Sequence, residues 1–523
     1  MKNILLFDTT LRDGAQSAEI SFSVEDKLKI VRVLDDFGMH YIEGGWPGSN
    51  PKDELFFKEV RKIKLKNARL VAFSATRYKG NRAHRDPNLR ALIASKARVA
   101  CIFGKSWDLH VVHALRTTNE ENLKMIAESV AYLKSHRLEV IYDAEHFFDG
   151  FKSNREYALA TIRAARDAGA DIVTLCETNG GMMPSDIKDI VGAVRRELPG
   201  VRLGLHAHND SECAVANSVI AVQEGCTLVQ GTINGFGERC GNANLCSVIP
   251  ALQLKLGYRC LPDKKLVQLT ELSRYIDEIA NVLPNEKLPY VGRNAFAHKA
   301  GVHVAAIARH SKTYEHLDPE AVGNERRILV SELSGKSNVA FKAGELSLDF
   351  DKDPSAAKKI IDVVKQYEHK GYQFEDADGS FALLARKAVG TYRPSFTLKS
   401  FRVSVEKNSH GQMISEATVK LDVNGAEVHV VAEGDGPVNA LDNSLRKALE
   451  RFFPSIKEVS LRDFKVRVIN GGASTAAKVR VLVESRDSTA TWGTIGVSEN
   501  IIEASWQALA DAVEYKLLKE KKA

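Results

Sequence analysis

The chain has 523 residues, 44% of them hydrophobic and 27% charged, with 36 Gly and only 14 Pro. That length exceeds one ordinary domain of about 100–200 residues, so two or three folding units are expected, and the balance excludes disorder, collagen-like repeats and coiled coil. Lys plus Arg at 73 against Asp plus Glu at 67 leaves a net +6 spread along the chain without a basic stripe, which argues against nucleic acid as a partner.

In chain order, Met1-Lys2-Asn3-Ile4-Leu5-Leu6 runs into Asp8 without a signal-peptide pattern. Apolar runs fall short of the ~18–20 residues of a membrane span, so a cytoplasmic location and no membrane partner are expected. Eight short β-type runs follow one another: Ile4 to Phe7, Tyr41 to Glu43, Leu70 to Phe73, Val99 to Phe103, Glu139 to Tyr142, Ile172 to Leu175, Leu203 to Leu205 and Leu228 to Gly231. Amphipathic helix patterns separate them, among them Val24 to Phe37, Glu120 to Ser135, Arg155 to Ala168 and Ser185 to Arg196. Such alternation predicts an α/β fold, a (β/α)8 TIM barrel over residues 1–263, with an open doubly wound sheet as the competitor. Reactive residues favour the barrel, because they collect at the C-terminal strand ends: Arg12-Asp13, Glu43, Glu145, Glu177-Thr178, His206-x-His208 and Glu238-Arg239. In a closed parallel barrel those ends meet at one mouth. Seven Cys between Cys101 and Cys260, none in a C-x-x-C pair, indicate a reducing compartment and neither a disulfide framework nor a cysteine zinc site.

Residues 264–390 read as a mainly helical linker subdomain that contains Phe296 to His303. From 391 to 523 the pattern turns to strands: Phe401 to Val405, Thr418 to Val423, Glu427 to Val431, Phe464 to Val468, Lys478 to Val483 and Thr491 to Val497. Each strand group leads into a helix, Val438 to Phe452 and then Asn500 to Leu518, so two ββ-α halves predict a duplicated α+β regulatory or dimerisation domain.

His206 and His208 stand two apart on a predicted strand and leave the same face. With Asp13 at the end of the first strand they make a neutral-imidazole and carboxylate set suited to a divalent metal, and Asn242 is a further oxygen ligand candidate. Arg12 would set a fixed positive charge beside that ion, where a carbonyl oxygen gathers negative charge. Either Glu43 or Glu238 could hold its guanidinium, and Glu238 is the expected orienter. The loop Gly235 to Asn242 matches neither G-x-G-x-x-G nor Walker A, so it is read as backbone shaping around the metal. Asp143 and His146 are candidates for the wall of the site.

Leu11-Arg12-Asp13-Gly14-x-Gln16 with Lys27, His206-x-His208-Asn209-Asp210, the Gly-Glu-Arg-x-Gly-Asn loop and Gly301-Val302-His303 together resemble the 2-isopropylmalate synthase, homocitrate synthase and citramalate synthase family over nearly the whole chain. Gly44 to Asp53, Ile102 to His110 and Trp492 to Trp506 look most like its citramalate synthase branch. Glu212 departs from the pattern, since the family usually has Gly there, and this puts the local turn in question.

The resemblance implies a metal-dependent condensation of acetyl-CoA with a 2-oxo acid, pyruvate for the branch named. The metal would be Mn, Zn or Mg, Arg12 would polarise the keto oxygen, and Thr178 would bind the substrate carboxylate. Glu145, His303 and Tyr314 would handle acetyl-CoA and its proton. The tail would act as a feedback domain in a homodimer, with isoleucine as effector held by loops Gly434 to Val438 and Gly471 to Thr475. The alternatives are 2-isopropylmalate synthase on 2-oxoisovalerate, a metal-dependent lyase or aldolase, and a non-catalytic amino-acid sensor.

Overall fold

The eight β-type runs become the strands of one closed parallel barrel, in the order of the sequence. They are β1 (Leu5–Asp8), β2 (Tyr41–Gly45), β3 (Arg69–Ala75), β4 (Val99–Lys105), β5 (Glu139–Glu145), β6 (Ile172–Glu177), β7 (Leu203–Ala207) and β8 (Leu228–Gly231). A computed structural model describes residues 2–331, 336–345, 355–469 and 476–520. β8 pairs with β1 through Leu5–Leu228 to Asp8–Gly231 and closes the ring.

Alternation along each strand sets what faces inward. Phe7, Tyr41, Val71, Val99, Ile141, Ile172 and Leu228 form one buried cluster within the ring. Their neighbours Leu6, Ile42, Ala72, Ala100, Val140, Val173 and Val229 pack outward with the helices. Two residues further on, the inward position becomes polar on several strands: Tyr41 gives way to Glu43, Ile141 to Asp143, Ile172 to Thr174 and Leu228 to Gln230. Seven of the eight strands therefore run past the last residue that an apolar reading assigns to them. Asp143 and Glu145 are thus strand residues that line the cavity at the mouth.

Helix α1 (Val24–Phe37) opens on a capping box, with Ser23 accepting from the Asp26 N–H and Asp26 from the Ser23 N–H, and ends at Gly38 with φ 105°. Helix α2 (Pro51–Glu59) starts from the Asn50 cap, which fixes Asp53 in its first turn.

The chain divides into two units, one of Met1–Phe296 with Leu317–Glu325, the other of Ala297–His316 with Arg326–Ala523. Within the first, Thr270 Oγ1 donates to Val322 O at 2.8 Å, and Asn324 Nδ2 donates to the carbonyls of Tyr290 and Gly292. Gly323, at φ +70°, lies so close to Val267 O that a Cβ would stand 1.9 Å from it.

In the second unit, helices Gly301–Arg309, Ala356–His369 and Asp378–Ala388 precede two antiparallel sheets. Each sheet has three strands, which are the six expected runs, so each half is ββ-β-α rather than ββ-α: Thr397–Lys407, Met413–Val423 and Ala426–Gly434, then Ser460–Val468, Val479–Arg486 and Thr491–Ser498. The first strand of each sheet is largely exposed, so its apolar signal is short. Helices Pro437–Leu449 and Ile501–Glu520 follow the sheets and bury Leu441, Leu445, Leu509 and Val513 with Val419, Leu421, Val481 and Val483. The loop at Gly434 is partly committed, because the Asp435 N–H donates to Asn439 Oδ1 at 3.0 Å and Gly436 caps the next helix. Gly471 to Thr475 lie outside the described residues.

Candidate active site

After β1 the chain folds into a tight turn, with the N–H groups of Arg12 and Gly14 both donating to Thr9 O. This turn sets Asp13 opposite β7. His206 Nε2 lies 3.3 Å from Asp13 Oδ2 and 3.2 Å from His208 Nε2. The three residues are buried, and one ligand atom from each falls within 4.8 Å of the others.

Gln230 decides what His206 presents. Its Nε2 donates to Asp143 Oδ1 at 2.9 Å and to Thr174 Oγ1 at 3.2 Å, so its Oε1, 2.9 Å from His206 Nδ1, is the acceptor for that nitrogen's proton. His206 Nε2 is then left with its lone pair toward Asp13, and two acceptors at that range repel unless a proton or a cation lies between them. Burial opposes a charge on His206, but Asp13 outweighs it and raises its pKa; burial and the neighbouring His206 push His208 down to about 3. Burial would raise the Asp13 carboxyl, yet Arg12 and His206 hold it below the usual carboxylate range. Asn242 Nδ2 donates to Asp13 Oδ2 at 2.8 Å while its Oδ1 is buried without a hydrogen-bond partner. Two imidazoles, a carboxylate and an unused amide oxygen fit a divalent cation. Partners that orient a ligating His typically matter 10–100-fold, so Gln230→Leu should weaken divalent-metal affinity by about that factor, read by competition with a chromophoric chelator.

Arg12 is held by Glu43, with Nε donating to Oε2 at 2.6 Å, and its Nη1 lies 3.3 Å from Asp13 Oδ1. Burial pushes the Glu43 carboxyl up to about 7, against the pull of Arg12. The expectation that Glu238 orients Arg12 is corrected: the Glu238 side chain is 52% exposed and 3.8 Å from Arg239 Nη1. Arg239 itself pairs with Asp210 at 2.7 Å and donates to Thr178 O.

Arg12, Asp13, Glu145, Thr178, His206 and His208 line one cavity of about 220 Å³, and Glu238 reaches its rim. Glu145 is paired with Lys105. Thr178 Oγ1 accepts from the His146 N–H at 2.9 Å. Asp143 lines the same cavity, whereas the His146 ring stacks near His110 at 4.0 Å. Glu212 has φ 57°, the left-handed conformation that favours glycine, and its N–H closes the turn on Asn209 O at 2.8 Å. His303 and Tyr314 belong to the second unit, where their rings stack at 4.0 Å. Gln230, Trp46, Phe73, Phe103 and Cys176 are site residues that the sequence reading does not assign there; the period-2 step from Leu228 is the available signal for Gln230.

A parallel barrel with two buried His, an Asp and an Arg at its mouth presents a candidate divalent-metal site beside a fixed positive charge. The HMGL-like family matches residues 3–276, the homocitrate synthase post-HMGL domain-like family residues 290–371, and the LeuA allosteric (dimerisation) domain residues 375–517. The chain is 55% identical to the (R)-citramalate synthase of Geobacter sulfurreducens, over 99% of this chain and 98% of that one. It is 53% identical to that of Aquifex aeolicus over the same shares. A probable 2-isopropylmalate synthase of Methanopyrus kandleri is 32% identical over 98% of this chain and 97% of its own. The chain belongs to the HMGL-like family, and within it to the group of the (R)-citramalate synthases.

Proposed function

We propose that the chain condenses acetyl-CoA with pyruvate, giving (R)-citramalate and CoA. The observation that carries this reading is the single cavity in which Arg12 stands beside Asp13, His206 and His208. Asp13, His206, His208 and Asn242 would hold a divalent ion, which when bound supplies Lewis-acid polarisation and a template for a 2-oxo acid. Arg12, immobilised between Glu43 and Asp13, meets the keto oxygen as it gains negative charge. The Thr178 hydroxyl binds the pyruvate carboxylate. Glu145, His303 and Tyr314 serve acetyl-CoA, and one of them takes the methyl proton before the acetyl carbon attacks the keto carbon. Water then cleaves the thioester and CoA leaves.

The higher identity to citramalate synthases than to the isopropylmalate synthase favours pyruvate over 2-oxoisovalerate. The match to an allosteric (dimerisation) domain supports oligomerisation and an effector role for the tail, and the effector proposed for a homodimer is isoleucine. Effector inhibition requires different affinity for active and inactive states, since equal binding to both shifts nothing. Seven free cysteines, five of them buried, accord with a reducing cytoplasm.

The test is CoA release from acetyl-CoA with each oxo acid. Pyruvate should give the higher kcat/KM, and saturating isoleucine should lower the rate. Comparable or reversed values for 2-oxoisovalerate would move the reading to an isopropylmalate synthase. An unchanged rate, with no heat of isoleucine binding, would leave the tail a dimerisation role alone.

A further inference from the structure

The segment Gly44 to Asp53 takes no part in the chemistry above, yet it is built with unusual care. The register of β2 on β3 slips between Glu43, opposite Val71, and Gly45, opposite Ala72. Bulges of this kind re-aim the side chain that follows. Gly45 has φ +147°, and a Cβ there would stand 2.6 Å from Asp53 Oδ2. Asp53 uses that oxygen to accept from the Trp46 N–H at 2.9 Å, and its other oxygen to pair with Lys27 Nζ at 2.5 Å. Lys27 also donates to Gly44 O at 3.0 Å. A buried ion pair thus clamps the backbone that carries Trp46.

The indole meets Phe73 and Phe103 edge-on, each at 5.7 Å, while those two rings stack on each other at 5.4 Å. Arg12 Cζ lies 3.8 Å from the centre of the Phe73 ring, so the aromatic wall touches the cation of the site. All three rings line the site cavity of about 220 Å³. Trp46 and Phe103 also line a second cavity of about 430 Å³, bounded further by Ala75, Tyr78, Leu115 and Met125. The two rings are therefore a partition between the reaction cavity and an adjoining space.

We infer that Trp46 is the residue that restricts the 2-oxo acid to a short alkyl group, and that the second cavity is the space a longer group would enter without it. This rests on the pyruvate reading above and names the part of the site that enforces it. Soft hydrophobic contacts discriminate by roughly 10–200-fold per methylene, so exclusion of a branched acid needs a wall that cannot yield. The Lys27 and Asp53 clamp makes the indole such a wall.

The experiment compares kcat/KM for pyruvate, 2-oxobutanoate and 2-oxoisovalerate in the full-length wild type and in Trp46→Ala. The ratio of 2-oxoisovalerate to pyruvate should rise by at least about tenfold in the variant, with 2-oxobutanoate intermediate and KM for acetyl-CoA unchanged. Trp46→Phe, which keeps a ring, should shift the ratio the same way by a smaller factor and decides the matter if Trp46→Ala does not fold. A folded variant with an unchanged ratio, or one equally poor with all three acids, would overturn the role of Trp46. Failure of the wild type to use pyruvate at all would instead overturn the reading on which it rests.

Discussion

His206→Ala is expected to lower turnover by at least about 10³-fold, because it removes one of three groups arranged around the same point and with it the polarising centre of the reaction. The imidazole Nε2 lies within 3.3 Å of both Asp13 Oδ2 and His208 Nε2, so no neighbouring side chain substitutes for it. Chelation of the wild type should give the same loss, and added divalent ion should restore the wild type but not the variant. CoA release, together with measured metal content, checks this. Full turnover by rigorously metal-free protein would remove the ion from the mechanism.

The second large effect is on stability. Lys27 and Asp53 are almost wholly buried as a pair, with side-chain exposures of 3% and 9%. Burial pushes the Lys27 ammonium pKa down, and Asp53 pulls it back up. Removing one partner of a buried pair strands the other charge, so Lys27→Met should cost about 3–5 kcal/mol in urea unfolding of the intact chain. Adding Asp53→Asn removes that charge while leaving an acceptor for the Trp46 N–H, and the double variant should recover a large part of the loss. An equal loss in single and double variants would assign the effect to packing around the lysine stem instead.

Much of the fold was legible because period-2 and period-3.6 patterns are local. Helix α1 spans Val24–Phe37, the range that its apolar spacing predicts. The strands were read short for a physical reason: an apolar run stops at the first charge, while a barrel strand continues until its inward side chain reaches the mouth. Asp13, His206 and His208 can be paired from sequence since the two His stand two apart, His206 in β7 and His208 just past its end, and the barrel supplies the third. Gln230 could not, because its role comes from contacts with Asp143 and Thr174, 87 and 56 residues away. Glu238 does not orient Arg12 because Glu43 already holds that guanidinium, while Glu238 stays half exposed beside Arg239. The aromatic partition joins β2, β3 and β4 and leaves no trace in any single segment.

The chain leaves its first unit at Phe296, returns for Leu317–Glu325, and leaves again. That return strip is stitched into the barrel unit by Thr270, Asn324 and a glycine pressed against Val267 O. The modules are thus not beads on a string. A foreign tail grafted after Glu325 would keep the return strip but divide the second unit, parting Ala297–His298 from its strand partner Arg327–Ile328. Exchange of regulatory tails among such enzymes would then have to carry the excursion with His303 and Tyr314 along with the tail, while Leu317–Glu325 stays with the barrel.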